Sequence, residues 1–117
     1  MKLLIRNQTR RTTVAGAAEA AKTSSARRKG LLGRDGLPEG GGLWIVPCES
    51  VHTFFMRFPI DLVYLDRGKI VRKVRHAVPA WRLSLCLGAH SILELPAGAA
   101  RDSSTEPGDQ IAIEELP

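Results

Sequence analysis

The twenty residues from Pro47 to Asp66 hold Cys48, His52, the acids Glu49, Asp61 and Asp66, and three phenylalanines. A thiol becomes an attacking thiolate when a nearby imidazole takes its proton, so Cys48 and His52 could be a nucleophile and its base. Their spacing decides between chemistry and packing. In one extended strand, residues four apart lie about 13 Å from each other. A turn would bring them to about 5 to 6 Å, and Pro47-Cys-Glu-Ser50 reads as a turn. The competing reading, in which Cys48 is a small buried hydrophobe and His52 a satisfied polar group, carries more weight, because free cysteine is among the most buried residue types. Asp61 lies between Pro59-Ile60 and Leu62-Val63-Tyr64. An acid is tolerated in such surroundings only when hydrogen-bonded or paired, so it is either an anchor for backbone amides or an arginine, the favoured reading, or a site acid.

Other residues could serve a ligand. Glu94 points away from its neighbours Leu93 and Leu95, toward solvent or a pocket, and the solvated face is favoured. Phe55, with Phe54, Met56 and Phe58, could line a groove, though a small core has few other large side chains to fill it. Trp81 and Arg82 follow Pro79 in a segment that could stack on a ligand such as a sugar. A metal site could draw on His52, Asp61, His76, Cys86, His90 and Glu94, but none has ligand spacing, so neither a metal nor another cofactor is expected. Gly40-Gly-Gly42 is no phosphate loop, because no Gly-Lys-Ser/Thr comes after it.

The elements that would position these residues change character along the chain. Lys2 to Asn7 reads as a short strand. Thr12 to Ala21 is rich in alanine, which loses no side-chain entropy in a helix, and Thr13 could cap it. That helix could resume after Ser24 or Ser25 and end at Gly30 or Gly33. Gly36 to Gly42 is a loop. From Leu43 on, short extended runs dominate: Leu43 to Val46, Val51 to Phe58, Ile60 to Leu65, Ile70 to Val78, Ile92 to Leu95 and Gln110 to Glu114. Ile60 to Leu65 is apolar enough to be buried on both faces. Asp66-Arg-Gly-Lys69 reads as a hairpin turn with Gly68 at the positive φ, and Leu83 to Gly88 as a looser crossing. Helix is therefore expected only before residue 36. The fold class expected is mostly β (α+β), a jelly-roll-like sandwich or barrel with a short N-terminal helical segment.

The 117 residues suit a single domain over 1–117. The net charge of +5 comes from scattered cations, with local groups at Arg27-Arg-Lys29 with Arg34, and at Arg67 to Arg75. These read as solvated faces, because few aromatic residues accompany them for stacking on bases, so no nucleic-acid partner is expected. Two cysteines make neither a disulfide framework nor a zinc motif. Met1 to Arg6 lacks the apolar run of a signal peptide, and no run approaches the roughly 20 residues needed to span a bilayer. A cytoplasmic protein without a membrane partner is expected.

Several blocks in order along the chain carry a resemblance: Gly30-Leu-Leu-Gly-Arg34, Cys48 with His52-Thr-Phe-Phe-Met-Arg-Phe-Pro-Ile-Asp61, Leu65-Asp66, Leu93-Glu-Leu-Pro-Ala-Gly98 and Gly108-Asp109. Together they resemble the bacterial and archaeal domain of unknown function family 192. The resemblance implies a compact, mostly β, jelly-roll-like fold with an N-terminal helix, and it implies no activity. The function expected is that of a binding module for an unknown small ligand, with a carbohydrate as one candidate, or for a protein partner, with its site near Cys48, His52, Asp61 and Trp81. The alternative is a small hydrolase or thiol enzyme using Cys48 and His52, with or without a metal.

Overall fold

In the computed structural model, which describes residues 1–117, strand β5 (Ile60–Leu65) is buried at every position. Ile60, Leu62 and Tyr64 pack into one apolar cluster, while Val63 and Leu65 pack into another. A strand covered on both faces needs a layer on each side, and the remaining elements supply them. Beside β5 lie β6 (Val71–Val78) and β8 (Ser91–Pro96), both antiparallel to it. The sheet continues through β3 (Leu43–Ile45), β2 (Thr12–Ala21) and β1 (Leu3–Asn7) to β9 (Ile111–Glu115). Its order is β6-β5-β8-β3-β2-β1-β9, with β2 and β3 parallel. These seven strands form one curled half-barrel, not the two facing sheets of a jelly-roll sandwich.

The inner face carries Leu3, Ile5, Val14, Ala18, Val63, Leu65, Leu93, Leu95 and Ile111. Helix α2 (Ala99–Asp102) closes this side through Ala100. On the outer face Leu43, Ile45, Ile60, Leu62, Tyr64 and Ile92 are covered by Leu31, Met56 and Ala89. Helix α1 (Ser24–Lys29) and a two-stranded ribbon, β4 (Ser50–His52) with β7 (Leu83–Leu85), belong to this outer layer. The Tyr64 hydroxyl is 2.8 Å from the Ser84 hydroxyl, which ties the ribbon to the sheet. No helix is long and apolar enough to cross a membrane.

Several local expectations are corrected. Thr12 to Ala21 is strand β2, not helix. Ala15 and Ala18, with Val14, are buried inside the curled sheet against β1, while Ala17 and Ala20 are exposed, so strand pairing overrides alanine's helix propensity. Helix begins later, where the Thr23 hydroxyl, not Thr13, accepts from the Ala26 N–H at 3.1 Å, and it ends at Gly30 with φ of 49°. The strand expected from Val51 stops at His52: Phe55 has φ of 65°, and the Met56 N–H turns back to the Thr53 carbonyl. Leu83 to Leu85 is a strand instead of a loose crossing, paired antiparallel to β4. Helix is not confined to the N-terminal third, since α2 lies near the other end. The Asp66–Lys69 turn does join antiparallel strands. Its positive φ falls on Lys69, at 63°, and not on Gly68. The Asp66 carboxylate accepts from the Ile70 N–H at 2.9 Å, which closes the turn with Lys69 as the left-handed residue.

The carboxylate of Asp61 is wholly buried and accepts three backbone N–H groups, from Ala77 at 2.8 Å, Gly98 at 3.1 Å and Ala100 at 2.9 Å. It joins a kink in β6, where Ala77 has φ of 46°, to the start of α2. Removing it would strand three donors, and buried donors without acceptors are costly. Asp61→Ala is expected to destabilise the protein by roughly 3 kcal/mol, read from the urea denaturation midpoint; a midpoint equal to the parent's would contradict this role.

Candidate functional site

Glu94 stands where β8 passes beneath α1. Strand alternation sends Leu93 and Leu95 to the inner core and Glu94 to the outer face, beside Ile92. Because α1 and the residues after it cross that face, Glu94 is 4% exposed. Gly30 makes the close crossing possible, since a Cβ there would stand 3.3 Å from the Glu94 Oε1 atom. That oxygen has no hydrogen-bond partner. Glu94 is one of the residues lining a cleft of about 500 Å³ between α1 and β4. Burial pushes Glu94 up to about 7, and the positive charge of Arg34 opposes that rise only in part.

The walls of this cleft differ in chemistry. On one side lie Arg27, Arg28 and Lys29, the last turn of α1. None of the three is paired with a carboxylate, and the Arg27 guanidinium donates to the Lys22 carbonyl. Leu31, Leu32, Ile45 and Met56 supply apolar surface. The opposite wall is β4. Val51 pairs with Ser84, and the N–H groups of Thr53 and Cys86 donate to the carbonyls of Arg82 and Glu49. Antiparallel pairing alternates, so the backbone groups of Ser50 and His52 point away from β7 on the free edge of the ribbon.

Cys48 and His52 both line the cleft, yet they do not hydrogen-bond to each other. The Cys48 thiol donates to the Ser50 carbonyl at 3.1 Å. Burial raises its pKa, and the carboxylates of Glu94 and Glu49 add to the rise. The Nδ1 atom of His52 accepts from the Phe54 N–H at 3.3 Å, and its ring stacks on Phe54. A thiol pushed upward and an imidazole engaged elsewhere lack the arrangement of an activated nucleophile. Asp61 lies on the opposite face of the sheet and takes no part in the cleft. Phe55, Trp81 and Arg82 lie outside it as well: Trp81 stacks on Phe54 at 5.5 Å between centroids and meets the edge of Phe55 at 4.6 Å. No three His, Cys, Asp or Glu side chains converge closely enough to hold a metal ion.

The sequence-predicted residues thus divide into Cys48, His52 and Glu94 in the cleft, Phe55, Trp81 and Arg82 on an outer shelf, and Asp61 in the core. Sequence reasoning missed Ser50, Leu31 and the Arg27–Lys29 run, which it read as a solvated face. The cap at Thr23 followed by three cations and then Leu31-Leu32 was the available signal of a short helix with one face turned inward.

A mostly β chain with a curled seven-stranded sheet and a lateral cleft is the class defined by these features. The chain belongs to the DUF192 family, described as Uncharacterized ACR, whose profile matches residues 5–113. It is 32% identical over 111 residues to a UPF0127 protein of Thermococcus sibiricus, covering 90% of this chain and 71% of that protein. The same fold occurs in a protein of unknown function from Novosphingobium aromaticivorans, with a TM-score of 0.81 at 19% identity, covering 96% of this chain and 84% of the other. A candidate transcription regulator from Sinorhizobium meliloti superposes with a TM-score of 0.79 at 17% identity, covering 95% and 91%.

Folding raises Glu94 from its ordinary value of 4.5 to about 7, so the folded state holds a proton that the unfolded chain has released. Stability should therefore fall as pH rises from about 4.5 through about 7, and level off above it, by roughly 3 kcal/mol in all. In Glu94→Gln this part of the slope should vanish, leaving the variant more stable than the parent at alkaline pH; denaturation midpoints across pH measure both, and parallel profiles would contradict the assignment. For Cys48, iodoacetamide should react slowly in the native protein near neutral pH and rapidly after unfolding, with His52→Ala changing neither rate. Mass spectrometry of the labelled peptide reads the outcome, and fast labelling that depends on His52 would contradict it.

Proposed function

We propose that this protein is a binding module for a small hydroxylated, anionic ligand seated in the cleft between α1 and β4. One observation carries the reading: a carboxyl group that is almost fully buried, with an unpartnered oxygen, belongs to a residue in the wall of a cleft of about 500 Å³. A buried polar group without a partner is costly, and a ligand that supplies a donor recovers that cost on binding. A hydroxyl of the ligand would donate to Glu94, and its anionic group would meet Arg27, Arg28 and Lys29. The free edge of β4 offers further backbone groups, the N–H of Ser50 and the N–H and carbonyl of His52, while the Ser50 carbonyl is taken by the Cys48 thiol. Sugar acids and hexose phosphates combine these features, a narrower form of the carbohydrate reading. The thiol-enzyme alternative draws less support, because Cys48 and His52 direct their hydrogen bonds to Ser50 and Phe54.

Titration of the amide nitrogen–proton NMR spectrum with glucuronate, a hexose phosphate, glucose and lysine tests the proposal. The two anionic sugars should shift the amides of Lys29 to Leu31, Ser50 to His52 and Glu94. Glu94→Gln should weaken that binding by about tenfold, the loss of one good hydrogen bond. Shifts confined to other surfaces, or no response to any of the four, would contradict the reading.

A further inference from the structure

Apart from the terminal Met1 and Leu116, the exposed large apolar side chains gather on one surface: Phe55 (70% exposed), Trp81 (56%), Leu83 (70%), Leu85 (53%) and Leu87 (77%). They stand out because of how the ribbon is built. In β7 the buried Ser84 faces Tyr64, and alternation sends Leu83 and Leu85 outward together. Leu87 is exposed in the turn that follows, and Trp81, at φ of 66°, meets Phe55, at φ of 65°, edge to face just before β7. Protruding apolar side chains concentrated in this way, four of them between residues 81 and 87, are the kind of surface that marks an interaction site.

Cations are interleaved with it. The Lys73 ammonium donates to the Leu85 carbonyl at 2.8 Å, and the Arg75 guanidinium to the Leu83 carbonyl at 3.2 Å. Arg82 donates to the carbonyls of Ala80 and Trp81, and the Arg72 guanidinium lies beside Gly88. None of these four cations is in an ion pair. Hydrogen bonds to backbone carbonyls hold Lys73, Arg75 and Arg82 at the rim without cancelling their charge. The nearby acid Glu49 accepts from the Gly88 N–H at 2.6 Å.

We propose that this ribbon docks on an anionic lipid bilayer, with Trp81, Leu83, Leu85, Leu87 and Phe55 entering the headgroup region and the four cations meeting lipid phosphates. Tryptophan and other apolar side chains flanked by lysine and arginine are suited to that interface. The surface fits a bilayer better than an acidic peptide for two reasons. Its apolar groups protrude and line neither the cleft beside α1 nor the one beside Pro47, Glu49 and His90, whereas a helical peptide needs a groove. The outward carbonyls of β7 are already taken by Lys73 and Arg75, so an added peptide strand would have to displace them. A second copy of the chain would bring like charges together. The expectation of no membrane partner considered only spanning segments, and a peripheral contact requires none.

Cosedimentation of the full chain with phosphatidylcholine vesicles, with and without phosphatidylglycerol, tests this. The chain should pellet with the phosphatidylglycerol vesicles, be released by high salt and remain in solution with phosphatidylcholine alone. In a Trp44→Phe variant, where Trp81 is the sole reporter, emission should shift to the blue on binding. Paired Leu83→Ser and Leu87→Ser changes, at exposed positions that leave the unfolding midpoint in place, should weaken binding at least about tenfold. Arg72→Glu with Arg82→Glu should do the same by a separate route. Failure to pellet with anionic vesicles, or undiminished binding by both variants, would overturn the proposal. So would binding of a synthetic glutamate–leucine peptide by the parent, weakened by the same changes, with no response to vesicles.

Discussion

The interior of this protein depends on two neighbouring strands, β5 and β8, that are buried on both faces. A sheet with one wet face could have stopped at the half-barrel and its inner core. Because Ile60, Leu62, Tyr64 and Ile92 are apolar on the outer face too, a second layer must cover them. The chain has little regular structure for that purpose. It uses a six-residue helix, a ribbon of two three-residue strands and the segments between them. Such a thin layer closes incompletely, and the cleft beside α1 is where it does not meet the sheet.

Glu94 owes its state to that construction. It occupies an outward position on β8, where the second layer removes it from water without giving both of its oxygens a partner. Asp61, equally buried, sits on the inner side and has three backbone donors. The contrast separates two uses of a buried acid. Where the chain supplies the donors, the acid organises the fold; where it leaves an oxygen unpartnered in a residue that lines a cleft, the acid is the group that a ligand of the proposed kind would satisfy. The ribbon carries a second consequence, since turning Ser84 inward to reach Tyr64 obliges Leu83 and Leu85 to face outward.

Much of the sheet was legible in the sequence because its signals are local. Ile60 to Leu65 reads as a doubly buried strand from composition, and Asp66-Arg-Gly-Lys69 as a hairpin from turn chemistry. Asp61 reads as a residue that must be satisfied, since apolar residues flank it. The misreadings arise where tertiary pairing decides. The alanines of β2 favour helix in isolation, and only pairing with β1 makes the segment a strand, with Ala15 and Ala18 buried inside the curl. Glu94 between two leucines looks like any strand residue with a wet face. Its burial depends on α1, more than sixty residues earlier in the chain, crossing over it at Gly30. Cys48 and His52 are brought to one cleft as their spacing allowed, but the hydrogen bonds that occupy each are properties of the folded turn.

The role of the cleft turns on the state of one carboxyl group, and that state can be measured directly. With glutamate carboxyl carbons labelled, NMR titration of the folded protein should show Glu94 changing protonation at about 7. The signal is assigned by its loss in Glu94→Gln. Titration of Glu94 at the ordinary glutamate value of 4.5 would mean that the group is solvated or partnered, and the cleft would lose the feature that marks it as a site.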